Sequence, residues 1–136
     1  MIKTVLTDKL ILQQKSSPAT KADAQVITDL VDTLRANQSA CVGMAANMIG
    51  VLKQIIVVQV GPMIIPMVNP KITSKQGKYQ TTEGCLSLTG ERPTDRYRKI
   101  TVSYLDQNFA AHKETFSGFT AQIIQHEIDH CQGILI

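Results

Sequence analysis

The sequence has no tryptophan and only three phenylalanines and three tyrosines. Six scattered rings give no platform on which bases could stack, which argues against a single-strand nucleic-acid reader. Charge of one sign is also scarce: 14 Lys and Arg oppose 11 Asp and Glu, for a formal net charge of +3. That field is too weak to argue for a nucleic-acid partner. No stretch approaches the roughly 18 consecutive apolar residues of a membrane helix. The first residues, MIKTVLTDKLILQQKSS, are interrupted by Asp8 and Lys9 and contain no apolar h-region or small-residue cleavage site. The chain therefore reads as mature cytoplasmic protein. Cysteine is limited to Cys41, Cys85 and Cys131, an odd and widely spaced set that argues against a disulfide framework. Ligand, nucleophile or inert core residue remain as roles for these thiols.

What is present is a globular composition, 43% hydrophobic and 18% charged, over 136 residues. There is no repeat and no linker-like break, so residues 1–136 read as one domain. After Pro18 a helix is expected, with Thr20 as N-cap and Val26, Ile27, Leu30, Val31 and Leu34 at helical spacing. Asn37-Gln38-Ser39 ends it. CVGMAANMIG follows, rich in small residues where backbone must approach something closely. VLKQIIVVQVG, residues 51–61, reads as a buried strand, and MIIPMVNP as a strand near an edge because Pro66 cannot donate to a ladder. KITSKQGKYQTTEG predicts a further strand or a hairpin around Gly77. Residues 98–105 and 109–116 flank Asp106-Gln107-Asn108, a hairpin signal. Ser117 is the expected N-cap of a last helix, FTAQIIQHEIDHCQ, that Gly133 stops. The order predicts an α+β fold, a mostly antiparallel sheet with a C-terminal helix.

That last helix carries the strongest signal, His126-Glu127-Ile128-Asp129-His130. One turn apart on a helix, two imidazoles face the same way and can reach one metal ion, with the intervening Glu beside it as general base. A tightly held catalytic ion takes a third protein ligand. Only CQGILI follows His130, so the downstream His of longer H-E-x-x-H motifs has no place here. Cys131 points about 140° away from His126 on the helix, and His112 lies in a polar hairpin arm that reads as surface. Cys41, Cys85 and a few carboxylates are the other upstream donors. Cys85 sits in Thr82-Glu83-Gly84-Cys85-Leu86-Ser87, where Gly84 permits a close backbone approach. A thiolate with two imidazoles suits a borderline-soft divalent ion such as Fe²⁺, Zn²⁺, Co²⁺ or Ni²⁺.

Three segments together resemble peptide deformylase: Gly43-Met44-Ala45-Ala46 through Gly50, Glu83-Gly84-Cys85-Leu86-Ser87, and Gln125-His126-Glu127-Ile128-Asp129-His130. They occur in that family's order, and the resemblance spans nearly the whole chain. It implies an α+β domain with the motif helix central. It implies that Cys85, His126 and His130 are the metal ligands, Glu127 the general acid/base, and the Leu86 N–H a donor to the formyl oxygen. It matches Gly43 and the Met44 main chain to the strand that pairs with substrate. Val42, Gly43, Glu83, Phe119, Gln122, Ile123 and His126 match positions lining the pocket for the first side chain, commonly methionine, and Arg92 a contact further along the peptide. The implied reaction is removal of the N-formyl group from the N-terminal methionine of new polypeptides, releasing formate. The implied cofactor is one divalent ion, Fe²⁺ in the cell and Zn²⁺ or Ni²⁺ in preparations. The implied partners are N-formylated nascent peptides near the ribosome, with neither nucleic acid nor membrane bound directly.

The first segment departs from the family's G-x-G-x-A-A-x-Q, with Cys41 at the first Gly and Met48 at the Gln. A thioether cannot replace an amide donor, and losing one such donor typically costs about 10²–10³ in turnover. Neighbouring Asn47 carries an amide but is rotated by about 100° on a helical turn. The alternative is thus a paralogue that keeps the metal site and is weakly active or non-catalytic. Thr89 stands where the family usually has Pro, which bears on the placement of Arg92.

Overall fold

The protein is described by a computed structural model covering residues 1–135. Helix α1 spans Lys9–Leu12, α2 Ala24–Ala36 and α3 Gly118–Cys131. The strands are β1 Gly43–Ala45, β2 Ile55–Val60, β3 Met63–Cys85, β4 Leu88–Leu105 and β5 Ala111–Ser117. They form one antiparallel sheet in the order β1-β2-β3-β4-β5. This is the α+β fold with a C-terminal motif helix that the sequence predicts. No helix among the described residues is long and apolar enough to cross a membrane.

Strand β2 shows why its sequence is apolar without alternation. Successive residues point to opposite faces of a sheet. Ile55 and Val57 join a core with Ile27, Leu30 and Leu34 of α2, while Ile56 and Val58 join one with Ala121, Ile123 and Ile124 of α3. All four β2 residues are fully buried, so a helix covers the strand on each side. Strand β1 repeats the split: Met44 faces the α2 core and Ala45 the α3 core.

Thr20 caps as expected, although it caps a 3₁₀ turn, Lys21–Asp23, that leads into α2. The Asp23 side chain accepts from the Thr20 N–H in return. At the other end, the Asn37 amide donates to the Thr33 carbonyl at 2.7 Å. Pro66 pairs with Val57 on one side, and β3 meets β4 only from Val68 onward, so a residue without an N–H is tolerated there. Asp106 closes the β4–β5 hairpin, its side chain accepting from the N–H groups of Asn108 and Ala110. Ser117 takes the N-cap position of α3, and Gly133, at φ +73°, stops it.

Of the two expectations for KITSKQGKYQTTEG, the strand holds and the hairpin does not: Gly77, at φ +77°, lies within β3, which continues to Cys85. The positive φ favours glycine, and a Cβ there would also sit 3.1 Å from the Cβ of Arg98 on the facing strand. Helix α1 has no counterpart in the expected elements. It is a single turn capped by Asp8, too short to show a periodicity.

Candidate metal centre

Three elements converge on one point. Cys85 ends β3, a tight Leu86-Ser87 turn follows, and Cys85 pairs with Leu88 as β4 begins. Helix α3 lies against β1, β2 and β4 and projects His126, Glu127 and His130 inward, all three buried. The ligand atoms of Cys85, His126 and His130 lie within 4.8 Å of one another. Cys85 Sγ and His130 Nε2 are 3.3 Å apart, and the two imidazole centroids 5.2 Å.

Glu83 orients the first imidazole. His126 Nδ1 donates to Glu83 Oε1 at 2.8 Å, which leaves Nε2 to face the centre. Glu83 also accepts from Arg96 Nε at 2.9 Å and Nη2 at 2.7 Å, and from Gln122 Nε2 at 2.9 Å. Arg96 Nη1 donates to Asp129 Oδ2 at 2.7 Å, back on α3. Burial alone would raise the Glu83 carboxyl, but the bonds from His126, Arg96 and Gln122 outweigh it and hold it at about 2. Arg96, at 4% exposure, is the residue sequence reasoning missed. Nothing local marks it; its signal is the meeting of two carboxylates distant in sequence.

The electrostatics fit a cation. Burial lowers the His126 pKa, yet the hydrogen bonds to Cys85 and Glu83 and the Glu127 charge raise it to about 10, so the surroundings favour positive charge at that ring. His130 is pushed to about 3 by burial and by His126, so it stays neutral with a lone pair to give. Glu127 Oε1 and His130 Nδ1 are buried without a hydrogen-bond partner. Burial raises the Glu127 carboxyl, and despite the opposing pull of His126 it reaches about 7. One thiol and two imidazoles, with an unpaired carboxylate oxygen beside them, fit an open zinc- or iron-type site.

A cavity of about 700 Å³ opens over the centre. Of the residues expected to bind substrate, Val42, Gly43, Glu83, Phe119, Gln122 and Ile123 line it, as do Leu86, Cys41 and Met48. Val42 and Phe119 are exposed apolar side chains at its rim. A Cβ on Gly43 would meet Ile123 Cγ2 at 2.8 Å and Glu127 Oε2 at 2.9 Å, so only glycine fits that close approach. The Met44 side chain is in the core, which leaves its main chain, on the edge strand β1, to act.

Arg92 lies outside the cavity wall. The tight Leu86-Ser87 turn puts it on a paired strand opposite Glu83, and its Nη2 donates to the Thr89 carbonyl at 3.3 Å. Met48 is buried with its sulfur accepting from the Ala45 N–H at 3.5 Å. Asn47 offers no substitute amide, because its Nδ2 donates to the carbonyls of His130 and Leu12. Cys131 is buried, with burial pushing its thiol up to about 12, and it is not among the clustered ligands. His112 is on exposed β5, paired with Asp106 at 2.7 Å.

A polypeptide deformylase family profile matches residues 2–136. The chain is 60% identical to a peptide deformylase of Clostridium beijerinckii over the full length of both. It is 39% identical to peptide deformylase 2 of Clostridium acetobutylicum, over 96% of this chain and 89% of that one. The crystal structure of a peptide deformylase from Legionella pneumophila superposes with a TM-score of 0.89 at 33% identity, covering 99% of this chain and 83% of the other. A class I type b peptide deformylase from Acinetobacter baumannii, bound to Met-Ala-Ser, superposes with a TM-score of 0.89 at 28% identity, covering 99% and 97%.

Proposed function

The chain belongs to the polypeptide deformylase family, a family of metal-dependent hydrolases, and from that premise we propose how its own residues carry the reaction. It removes the N-formyl group from the N-terminal methionine of new polypeptides and releases formate. A paralogue that keeps the metal site but is weakly active or non-catalytic is not the reading the relatives favour, even with Met48 in place of the motif glutamine.

Cys85, His126 and His130 are the residues to hold one divalent ion, ferrous in the cell and replaceable by Zn²⁺ or Ni²⁺ during preparation. The ion, when bound, supplies Lewis acidity at the formyl group. Glu127 takes a proton from the attacking water and delivers it to the leaving amine. The Leu86 N–H donates to the formyl oxygen as charge develops there. The edge of β1 at Gly43 and Met44 pairs with the peptide backbone. Val42, Phe119, Gln122 and Ile123 enclose the methionine side chain. Arg92, away from the cavity, is left to contact the peptide only beyond its first residues. The substrate is the nascent chain in the cytoplasm near the ribosome, without direct nucleic-acid contact. The observation that carries this reading is the convergence of one thiol and two imidazoles beside the buried Glu127 carboxyl.

Formate release from a formyl-Met peptide by protein loaded with Fe²⁺ or Ni²⁺ tests it. Turnover is expected, falling as pH drops, because a general base works ionised. The Glu127 carboxyl lies at about 7 before any cation adds its pull, so the acid limb falls at or below about 7. Turnover no higher than the metal-free background, with the ion verified in place, would overturn the reading.

A further inference from the structure

The two imidazoles are held by different means. The His126 ring is fixed through Nδ1 by Glu83, whereas His130 Nδ1 has no hydrogen-bond partner. With Nδ1 unpartnered, the His130 ring is set by its backbone and by the approach of Nε2 to Cys85 Sγ at 3.3 Å. That backbone lies in the last turn of α3, whose carbonyls take their partners from outside the helix.

We propose that Asn47 is a positioning residue that locks this last turn, and with it His130, in register with Cys85. Asn47 is 1% exposed, and its Nδ2 donates to the His130 carbonyl at 3.0 Å and to the Leu12 carbonyl at 3.4 Å. Both neighbours are acceptors only, which fixes the amide orientation: nitrogen inward to the carbonyls. The other ties on this turn are main-chain bonds, from Ser16 N to Cys131 O at 2.9 Å, from Gly133 N to His130 O at 3.0 Å and from Ile134 N to Asp129 O at 3.0 Å, and the Arg96 Nη1 bond to the Asp129 side chain at 2.7 Å. Asn47 is thus the side chain that joins the metal helix, the end of α1 and the 46–49 turn whose Met48 lines the cavity. This rests on the reading that His130 holds the ion.

The test compares wild type, Asn47→Ser and Asn47→Asp, each loaded with Zn²⁺ or Co²⁺. Leu30→Ala is the control, a destabilising change on α2, which carries none of the clustered ligands. Release of Zn²⁺ to a chelator is expected to be about 10–100-fold faster in the Asn47 variants, as for other residues that orient a metal ligand. The visible absorption of the Co²⁺ form is expected to change in the Asn47 variants and not in Leu30→Ala. In the unmodified holoprotein the Asn47 Nδ2 protons are expected to exchange slowly with solvent, a readout that needs no variant. Folded Asn47 variants with the wild-type release rate and spectrum, or freely exchanging Nδ2 protons, would overturn the inference alone. A wild type that retains no stoichiometric ion would overturn the metal-site reading and this inference with it.

Discussion

Glu127→Gln is expected to lower formate release by about 10²–10⁴-fold while leaving the bound ion in place. The carboxyl is buried beside the ligand cluster and is itself outside it, so the amide removes the proton carrier without removing a ligand. The same substitution has a stability signature of opposite sign. The Glu127 carboxyl titrates at about 7 when folded against an ordinary 4.5, so the folded state holds its proton more tightly than the unfolded chain. Its contribution to stability is complete below 4.5 and is lost as pH rises through about 7. Metal-free Glu127→Gln is therefore expected to melt at a higher temperature than metal-free wild type at pH 8, roughly one unit above that pKa, and not at pH 4.5. Steady-state kinetics, elemental analysis and thermal melting at two pH values check all three parts. A variant with near wild-type turnover would remove Glu127 from the mechanism.

Arg96→Ala is the second large effect. The guanidinium is buried between Glu83 and Asp129, and removing it leaves two carboxylates without their countercharge. Breaking a buried pair from one side typically costs about 3–5 kcal/mol. Because Glu83 in turn holds His126, metal release is expected to quicken by about 10–100-fold as well. Arg96→Lys is expected to rescue little, since an ammonium cannot reproduce the paired Nε and Nη2 bonds to one carboxylate. The pH dependence follows with the usual carboxylate sign. Glu83, held at about 2, contributes stability that is present above 4.5 and lost as pH falls through about 2. Wild type is expected to lose stability across that acid window more steeply than Arg96→Ala. Denaturant melts of the metal-free proteins at several pH values measure the difference, and parallel curves would contradict the network.

These residues also mark what the sequence made legible. Helical spacing placed His126 and His130 on one face because the motif is local. Donor chemistry left Cys41, Cys85 and a few carboxylates open, and the resemblance to deformylases selected Cys85; its approach to His130 is made by the long β3–β4 ladder, whose extent no local pattern announces. Gly77 read as either a strand or a hairpin because glycine is common in turns; it lies within β3, at a positive φ that favours glycine. Arg96 and Asn47 could not be read, since each acts through partners far along the chain. The site's outline was therefore visible from residue types, and the groups that hold it rigid only from the fold.

Anomalous diffraction from crystals of anaerobically purified protein tests the central claim most directly. One ion is expected, bonded to Cys85 Sγ and to Nε2 of His126 and His130 at roughly 2.0–2.4 Å. No ion at that point, or an ion bound without Cys85, would contradict the account.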